Sequence, residues 1–152
     1  MTRALLKNRL APERLEIEVN ETVLIRENED ILAELHQLRS IGVSIALDDF
    51  GTGYSSLSHL RMFTFDKVKI DRSFVAEMTE RSDSAAIVCA VAGLARSLDI
   101  ITTAEGIETE EQLTMLKAAG CTQGQGYLFG RPRPAEESLS LTFSNMRLRQ
   151  SA

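Results

Sequence analysis

Residues 43–53 read VSIALDDFGTG, an apolar run that ends in two adjacent aspartates and a glycine-containing turn. Apolar and small or polar side chains alternate up to Asp48, and a period of two predicts a β-strand with one apolar face. Asp48 and Asp49 repel each other when both are ionised, so the pair is unfavourable without a positive partner. Gly51 and Gly53 can adopt the backbone conformations that a close turn over such a partner requires.

Strand-like and helical stretches alternate on both sides of this run. The period of two predicts four further strands, at 14–19, 66–70, 100–104 and 121–129. Apolar residues at helical spacing predict helices at 29–41, at 82–98 and from Thr109 to a glycine cap at Gly120. Regular alternation of strand and helix is typical of an α/β fold with a parallel sheet and right-handed crossover helices.

Each predicted strand carries a polar row on one face. Parallel sheets covered by helices on both sides are apolar on both faces, and closed barrels fill their interior with bulky branched residues. The chain matches neither pattern, which favours a barrel-like sheet with helices outside and a polar cavity inside. Functional groups concentrate at the carboxyl ends of the strands in such folds. The polar residues that fall there are Glu18, Asp48, Asp49, Lys69, Glu105 and Gln125.

The charges of these strand-end residues do not balance. Four carboxylates against one lysine leave about three negative charges in one crevice, which cannot all stay ionised at close range without cations or raised pKa values. All the candidate ligand atoms are oxygens and no histidine lies among them, so Mg²⁺ or Mn²⁺ is favoured over Zn²⁺. Adjacent aspartates can reach two ions, as in the two-metal sites of phosphoryl chemistry.

Length and composition predict one soluble domain. The chain has 152 residues, 43% of them hydrophobic, with a net charge of −5 and a pI near 5.1. An acidic chain without a basic run in its body does not favour DNA as a partner. The sequence contains neither a signal peptide nor an apolar run approaching 18 residues, so we expect a cytoplasmic protein with no membrane segment. Cys89 and Cys121 are interpreted as buried small hydrophobes.

Simpler interpretations exist for each motif taken alone. Two aspartates before glycine most often form a capped turn. Glu18 could lie on an exposed strand face, and Lys69 and Asp71 could form a surface ion pair that contributes little. The histidines, His36 and His59, lack partners at ligand spacing and are assigned structural roles. The acidic set stands out because its members share one face and one end of the strands.

Five motifs resemble the successive motifs of the EAL-domain family, bacterial phosphodiesterases that linearise cyclic di-GMP to pGpG. They are EVNE, LDDFGTGYSSL, VKIDRSFV, AEGIET and QGYLFGRPRP, in order through residues 14–137. The resemblance implies that the metal ligands are Glu18, Asp48, Asp49 and Glu105. It also implies that Glu105 is the candidate general base and that Lys69 holds the attacking water or the phosphate. Gln125 would contact the water around the metals, and Glu21 and Glu108 would steady the DDFGTG loop and its neighbours. Asn20 stands where the family often has Thr.

The chain also departs from the family pattern. Family domains begin with a strand that carries the Glu-Ala-Leu motif, followed by a strand with a metal-binding Asn, and neither is found here. We therefore expect residues 1–152 to be a single, N-terminally incomplete EAL-type domain, a partial TIM-type (βα) barrel with two open sheet edges.

Three functions remain open for such a domain. The first is a cyclic di-GMP phosphodiesterase that is weakly active or inactive as an isolated chain. The second is a non-catalytic cyclic di-GMP-binding regulator, and the third is a dimerisation or interaction module. A homodimer or self-association through the open sheet edges is expected, and a sensor or diguanylate cyclase domain could accompany the parent protein.

Overall fold

A computed structural model describes residues 2–20, 29–51 and 63–134, and these form a parallel sheet with helices. The strands are β1 Glu16–Asn20, β2 Ser44–Phe50, β3 Lys67–Ile70, β4 Ile101–Ala104 and β5 Gln123–Gly124. The helices are α1 Thr2–Lys7, α2 Glu29–Ser40, α3 Arg72–Glu77, α4 Ser82–Ser97 and α5 Glu110–Ala119, with a 3₁₀ turn at Pro12–Arg14.

The strand order is the chain order. β1 to β5 lie side by side and every neighbouring pair is parallel, so all carboxyl ends meet at one edge of the sheet. This arrangement confirms the predicted partial (βα) barrel. Within the described residues β1 and β5 each pair with one neighbour, so each has one edge without a strand beside it.

The two faces of the sheet differ as the period of two predicts. Ile45, Leu47, Val68 and Ile70 are at most 1% exposed and belong to the hydrophobic core, which also includes apolar residues of the helices. Burying a side chain of this size contributes about 1.5–3 kcal/mol to folding. The opposite face carries polar residues, so the core holds the sheet on one side and leaves the other side available for function.

Helix α5 begins and ends as its sequence predicts. The Thr109 hydroxyl accepts a hydrogen bond from the backbone N–H of Gln112, whose side chain accepts one from the Thr109 N–H. This reciprocal capping box satisfies donors that a helix start leaves open. Gly120 ends the helix with a φ of 89°, in the left-handed region that glycine favours.

The predicted fifth strand, 121–129, is wrong in length because only Gln123–Gly124 is regular strand. The backbone of Ile107 approaches so closely that a Cβ on Gly126 would lie 2.1 Å from the Ile107 carbonyl oxygen. The chain turns from this point, with hydrogen bonds from Phe129 N to Gly126 O and from Gly130 N to Tyr127 O. Gly126 therefore allows the segment after β5 to pass close to the backbone of Ile107, and β5 ends before it.

The cysteine interpretation is half wrong. Cys121 is partly buried, and burial raises the pKa of its thiol, but Cys89 is exposed on α4. The apolar positions of α4 that face the core include Val88 and Val91, which leaves the Cys89 position on the outer side of that helix. Across the described residues, no helix combines the length and the hydrophobicity that crossing a membrane would need.

Candidate active site at the carboxyl ends of the strands

Lys69 is the centre of the polar face. Its Nζ lies 2.7 Å from Glu105 Oε1, 2.8 Å from Glu18 Oε1 and 3.1 Å from Asp48 Oδ1. The residue is only 5% exposed. Burial alone would lower the pKa of Lys69, but the close contacts with the carboxylates of Glu105, Glu18 and Asp48 outweigh it and raise the pKa above its usual value. Lys69 is therefore a buried, protonated ammonium.

The register of the sheet explains why these side chains meet. Lys69 lies opposite Thr103, two residues before Glu105, and Glu18 lies opposite Ala46, two residues before Asp48. Residues opposite each other in a parallel sheet point to the same face, as do residues two apart on one strand. The parity that the sequence predicts for these carboxylates therefore brings them to one ammonium.

A bulge in β2 separates the paired aspartates. Leu47 lies opposite Val68, but Phe50 lies opposite Ile70, so β2 contains one residue more than β3 across this interval. Asp49 has a φ of 55°, the left-handed conformation that Asp adopts more readily than most residues. Such a conformation costs about 1–2 kcal/mol. It lets Asp48 contact Lys69 while Asp49 accepts a 2.6 Å hydrogen bond from Asn20 Nδ2.

The surroundings of Asp49 oppose its ionisation. Burial raises the pKa of the Asp49 carboxyl, and the negative charges of Asp48 and Asp71 raise it further. Lys69 and the hydrogen bond from Asn20 act in the opposite direction without cancelling the rise. Because burial and the nearby negative charges disfavour an unpaired Asp49 carboxylate, a cation bound there would be stabilised more than at a carboxylate that already has a cationic partner.

Glu105 is fixed from both sides. Its backbone N–H donates to Ile70 O at 3.1 Å, and its Oε1 accepts a 2.7 Å hydrogen bond from Gln125 Nε2 as well as the contact with Lys69. Gly106 follows with a φ of 70°, and a Cβ there would lie 2.7 Å from Arg72 Cβ. The predicted neighbours Glu105, Gln125 and Lys69 therefore form one connected group.

A cavity of about 580 Å³ adjoins this group. Its lining contains Glu105, Gln125 and Glu108 together with three arginines, Arg72, Arg131 and Arg133. The Arg131 guanidinium lies 4.6 Å from the centre of the Tyr127 ring, within cation–π distance.

Sequence reasoning placed Glu108 near the site but did not single out the arginines. They come from the segments after β3 and after β5, and the available signals were the KIDR and GRPRP stretches. Glu21, which the resemblance implied as a further acid, lies outside the described residues.

The donor chemistry of the site fits a hard divalent cation. Glu18, Asp48, Asp49 and Glu105 offer only oxygen ligands, and with the single charge of Lys69 they leave a formal surplus of three negative charges. Asp48 Oδ1 is buried and lacks a geometrically good hydrogen bond, although the ammonium lies 3.1 Å away.

Lys69, and not an empty space, lies at the centre of these donors. Among residues 2–20, 29–51 and 63–134, no three Asp, Glu, His or Cys side chains converge closely enough to bind an ion as they stand. Lys69 lies among the carboxylates instead, with its Nζ 2.7–3.1 Å from an oxygen of three of them.

A parallel sheet with helices and charged groups at its carboxyl ends defines the class of barrel-like α/β proteins. The family model described as EAL domain matches residues 1–132. The chain is 47% identical over 137 residues to the bifunctional diguanylate cyclase/cyclic di-GMP phosphodiesterase MucR of Pseudomonas aeruginosa. This match covers 90% of the chain but 20% of MucR.

Solved structures agree with this match. The phosphodiesterase part of MucR in complex with c-di-GMP aligns with a TM-score of 0.85 and 46% identity, over 90% of this chain and 56% of that one. BlrP1 of Klebsiella pneumoniae, in a manganese and cyclic di-GMP complex, aligns with a TM-score of 0.80 and 39% identity. The alignment covers 86% of this chain and 33% of that one. The chain belongs to the EAL domain family.

Proposed function

We propose that the chain forms part of a metal-dependent phosphodiesterase that hydrolyses cyclic di-GMP to pGpG in the bacterial cytoplasm. The observation that carries this proposal is the convergence of Glu18, Asp48 and Glu105 on the buried Lys69, at the carboxyl ends of the four adjacent strands β1 to β4. The names of MucR and BlrP1 support cyclic di-GMP as the ligand.

The four strand-end carboxylates would hold Mg²⁺ or Mn²⁺. Glu18 comes from β1, Asp48 and Asp49 from the bulge of β2, and Glu105 follows β4. Bound divalent cations would lower the pKa of water and stabilise the charge that develops on the phosphate.

Lys69 and Glu105 would have different roles in the reaction, the first as a hydrogen-bond donor and the second as the general base. Lys69 stays protonated at neutral pH because its pKa is raised, so it can donate a hydrogen bond to phosphate or water but cannot accept a proton. The role of general base therefore falls to a carboxylate, and Glu105 is the one that Lys69 and Gln125 both orient. A base fixed by two donors accepts the proton in a defined direction.

The adjoining cavity suits an extended anionic ligand. About 580 Å³ lies within the size range of small-molecule sites. Arg72, Arg131 and Arg133 can each bind phosphate through paired hydrogen bonds. The Tyr127 ring is exposed, and a nucleobase could stack on the face that Arg131 does not cover.

A non-catalytic cyclic di-GMP regulator is the second candidate. The observation that favours it is that Lys69, rather than a ready set of three ligands, occupies the middle of the described acidic cluster. An interaction module is the third candidate, supported by the one-sided pairing of β1 and β5 within the described residues. Self-association through those edges would accompany either candidate.

Turnover of cyclic di-GMP separates these functions. We expect pGpG formation with Mn²⁺ or Mg²⁺ to be slow, well below the roughly 10 s⁻¹ of a median enzyme, and to be abolished in Glu105→Gln. Glu16→Gln is the matched control, because it changes a carboxylate on the same polar face but outside the cluster. Cyclic di-GMP binding in calorimetry without any pGpG would favour the regulator, and the absence of both would contradict the proposed function.

A further inference from the structure

Asn20 ends β1 beside the bulge of β2. It lies opposite Asp48 in the register of the two strands, and its Nδ2 donates a hydrogen bond of 2.6 Å to Asp49 Oδ2. The bond joins residues 29 positions apart in the sequence and ties the end of an outer strand of the described sheet to the bulge.

The backbone at Asp49 is irregular at the point where this hydrogen bond is made. The bulge leaves one residue of β2 without a counterpart on β3, and Asp49 has a left-handed φ of 55°. The neighbouring Asp48 carboxylate repels that of Asp49 and favours side-chain orientations away from it. The hydrogen bond from Asn20 Nδ2 opposes this repulsion and holds the Asp49 carboxylate toward the end of β1.

We propose that Asn20 is a positioning residue, which orients the Asp49 carboxylate for a divalent cation bound by the acidic cluster. The inference rests on the proposed function, since it assumes a cation at this cluster. It assigns to Asn20 a role toward the metal that requires no contact between Asn20 and the metal.

A neutral amide suits this role better than a cationic side chain. A carboxylate has two oxygens with about four acceptor positions, so Asp49 can accept the amide hydrogen bond and still bind a cation. Lysine or arginine at position 20 would orient the carboxylate but would also cancel the charge that attracts the cation. Partners that orient ligands in this way typically change metal affinity 10–100-fold.

Removing the amide tests the proposal. Asn20→Leu keeps a side chain of similar length without a donor, and we expect its Kd for Mn²⁺, measured by calorimetry or by the free Mn²⁺ signal in electron paramagnetic resonance, to rise about tenfold or more. Glu16→Gln, on the same strand and face, is the control and should bind within about threefold of wild type. Equal Kd values for Asn20→Leu and wild type would overturn the role of Asn20.

A measurement on the unchanged chain covers the case in which Asn20→Leu does not fold. In amide NMR spectra the Nδ2 protons of Asn20 should be protected from solvent exchange, and their resonances should move on addition of Mg²⁺ while those of Asn8 stay in place. The proposal would be overturned if the Nδ2 protons of Asn20 exchanged freely with solvent. It would also be overturned if their resonances did not shift with Mg²⁺ while resonances of other cluster residues did.

The failure of the proposed function has a different signature. If wild type binds neither Mn²⁺ nor Mg²⁺, the metal site is wrong and the role of Asn20 toward it falls as well. If wild type binds the ions and only the Asn20 variant and amide fail to respond as expected, the metal site stands and the role of Asn20 alone is wrong.

Discussion

Two lysines on β3 stand on the same polar face, two residues apart, in opposite electrostatic situations. Lys67 contacts one carboxylate, Glu16, at 2.6 Å, whereas Lys69 contacts three, Glu18, Asp48 and Glu105, at 2.7–3.1 Å. The Lys67 pair is balanced and lies toward the amino ends of the strands, but the Lys69 cluster carries surplus negative charge at the carboxyl ends. The excess of charge, rather than the presence of ion pairs, distinguishes the candidate active site from structural polar packing.

Of the substitutions that compare the two lysines, the removal of Lys69 is expected to have the larger effect on stability. Lys69→Met leaves the half-buried Asp48 and Glu105 and the more exposed Glu18 without their ammonium, and in EDTA we expect a loss of about 2 kcal/mol in the free energy of unfolding. Removing one partner of a fully buried pair costs about 3–5 kcal/mol, and the partial exposure of Glu18 reduces that figure. Excess Mn²⁺ should restore most of the loss, because the ion can replace the missing positive charge.

Lys67→Met is the matched control for this comparison. It breaks a single pair, so urea unfolding should show a loss of about 1 kcal/mol or less, and Mn²⁺ should not restore it. If both variants lost the same free energy of unfolding and responded equally to Mn²⁺, the Lys69 cluster would be an ordinary set of ion pairs like that of Lys67.

Asp71 provides a further comparison with a smaller expected effect on stability. It lies near the Lys69 cluster but caps the start of helix α3. Its Oδ1 accepts a hydrogen bond from Ser73 N at the start of α3. Burial would raise the pKa of Asp71, but the hydrogen bonds from Ser73 and Arg72 outweigh it and lower the pKa. Asp71→Ala should cost about 1 kcal/mol, the usual effect of losing a cap, whereas Asp71→Asn should cost a few tenths.

The pH dependence of stability follows from the sign of this shift. Because the folded pKa is lowered, Asp71 contributes its stability above the unfolded value of about 3.9 and loses it as pH falls through the folded pKa. Wild type should therefore lose more stability than Asp71→Asn when pH falls below about 4 in chemical unfolding. Parallel stability curves for the two proteins would contradict the capping role.

Local rules predicted the parts of the fold that depend on short stretches of sequence. The alternation in β2 and β3, the caps of α5 at Thr109 and Gly120, and the shared face of the acidic residues all agree with the structure. Each of these features is determined by residues two to four positions apart, where periodicity is informative.

Features that depend on a neighbouring segment were not predictable in this way. The bulge at Asp49 exists only relative to the register of β3, and the end of β5 depends on the approach of Ile107 to Gly126. Helix α3 has six residues, too few for a full helical period to stand out. The arginines of the cavity come from two segments far apart in the chain, which only the fold brings together.

The central claim is that the surplus charge at the carboxyl ends forms a divalent-cation site, and the thermal shift caused by Mn²⁺ tests it most directly. At a hundredfold excess over Kd, binding to the folded state adds about 2.7 kcal/mol, which raises Tm by several degrees. Asp48→Asn should lose most of this shift, because it removes a ligand from the centre of the cluster, whereas Asp71→Asn should keep it. Equal shifts in wild type and Asp48→Asn would contradict the claim and leave the paired aspartates as structural parts of the β2 bulge.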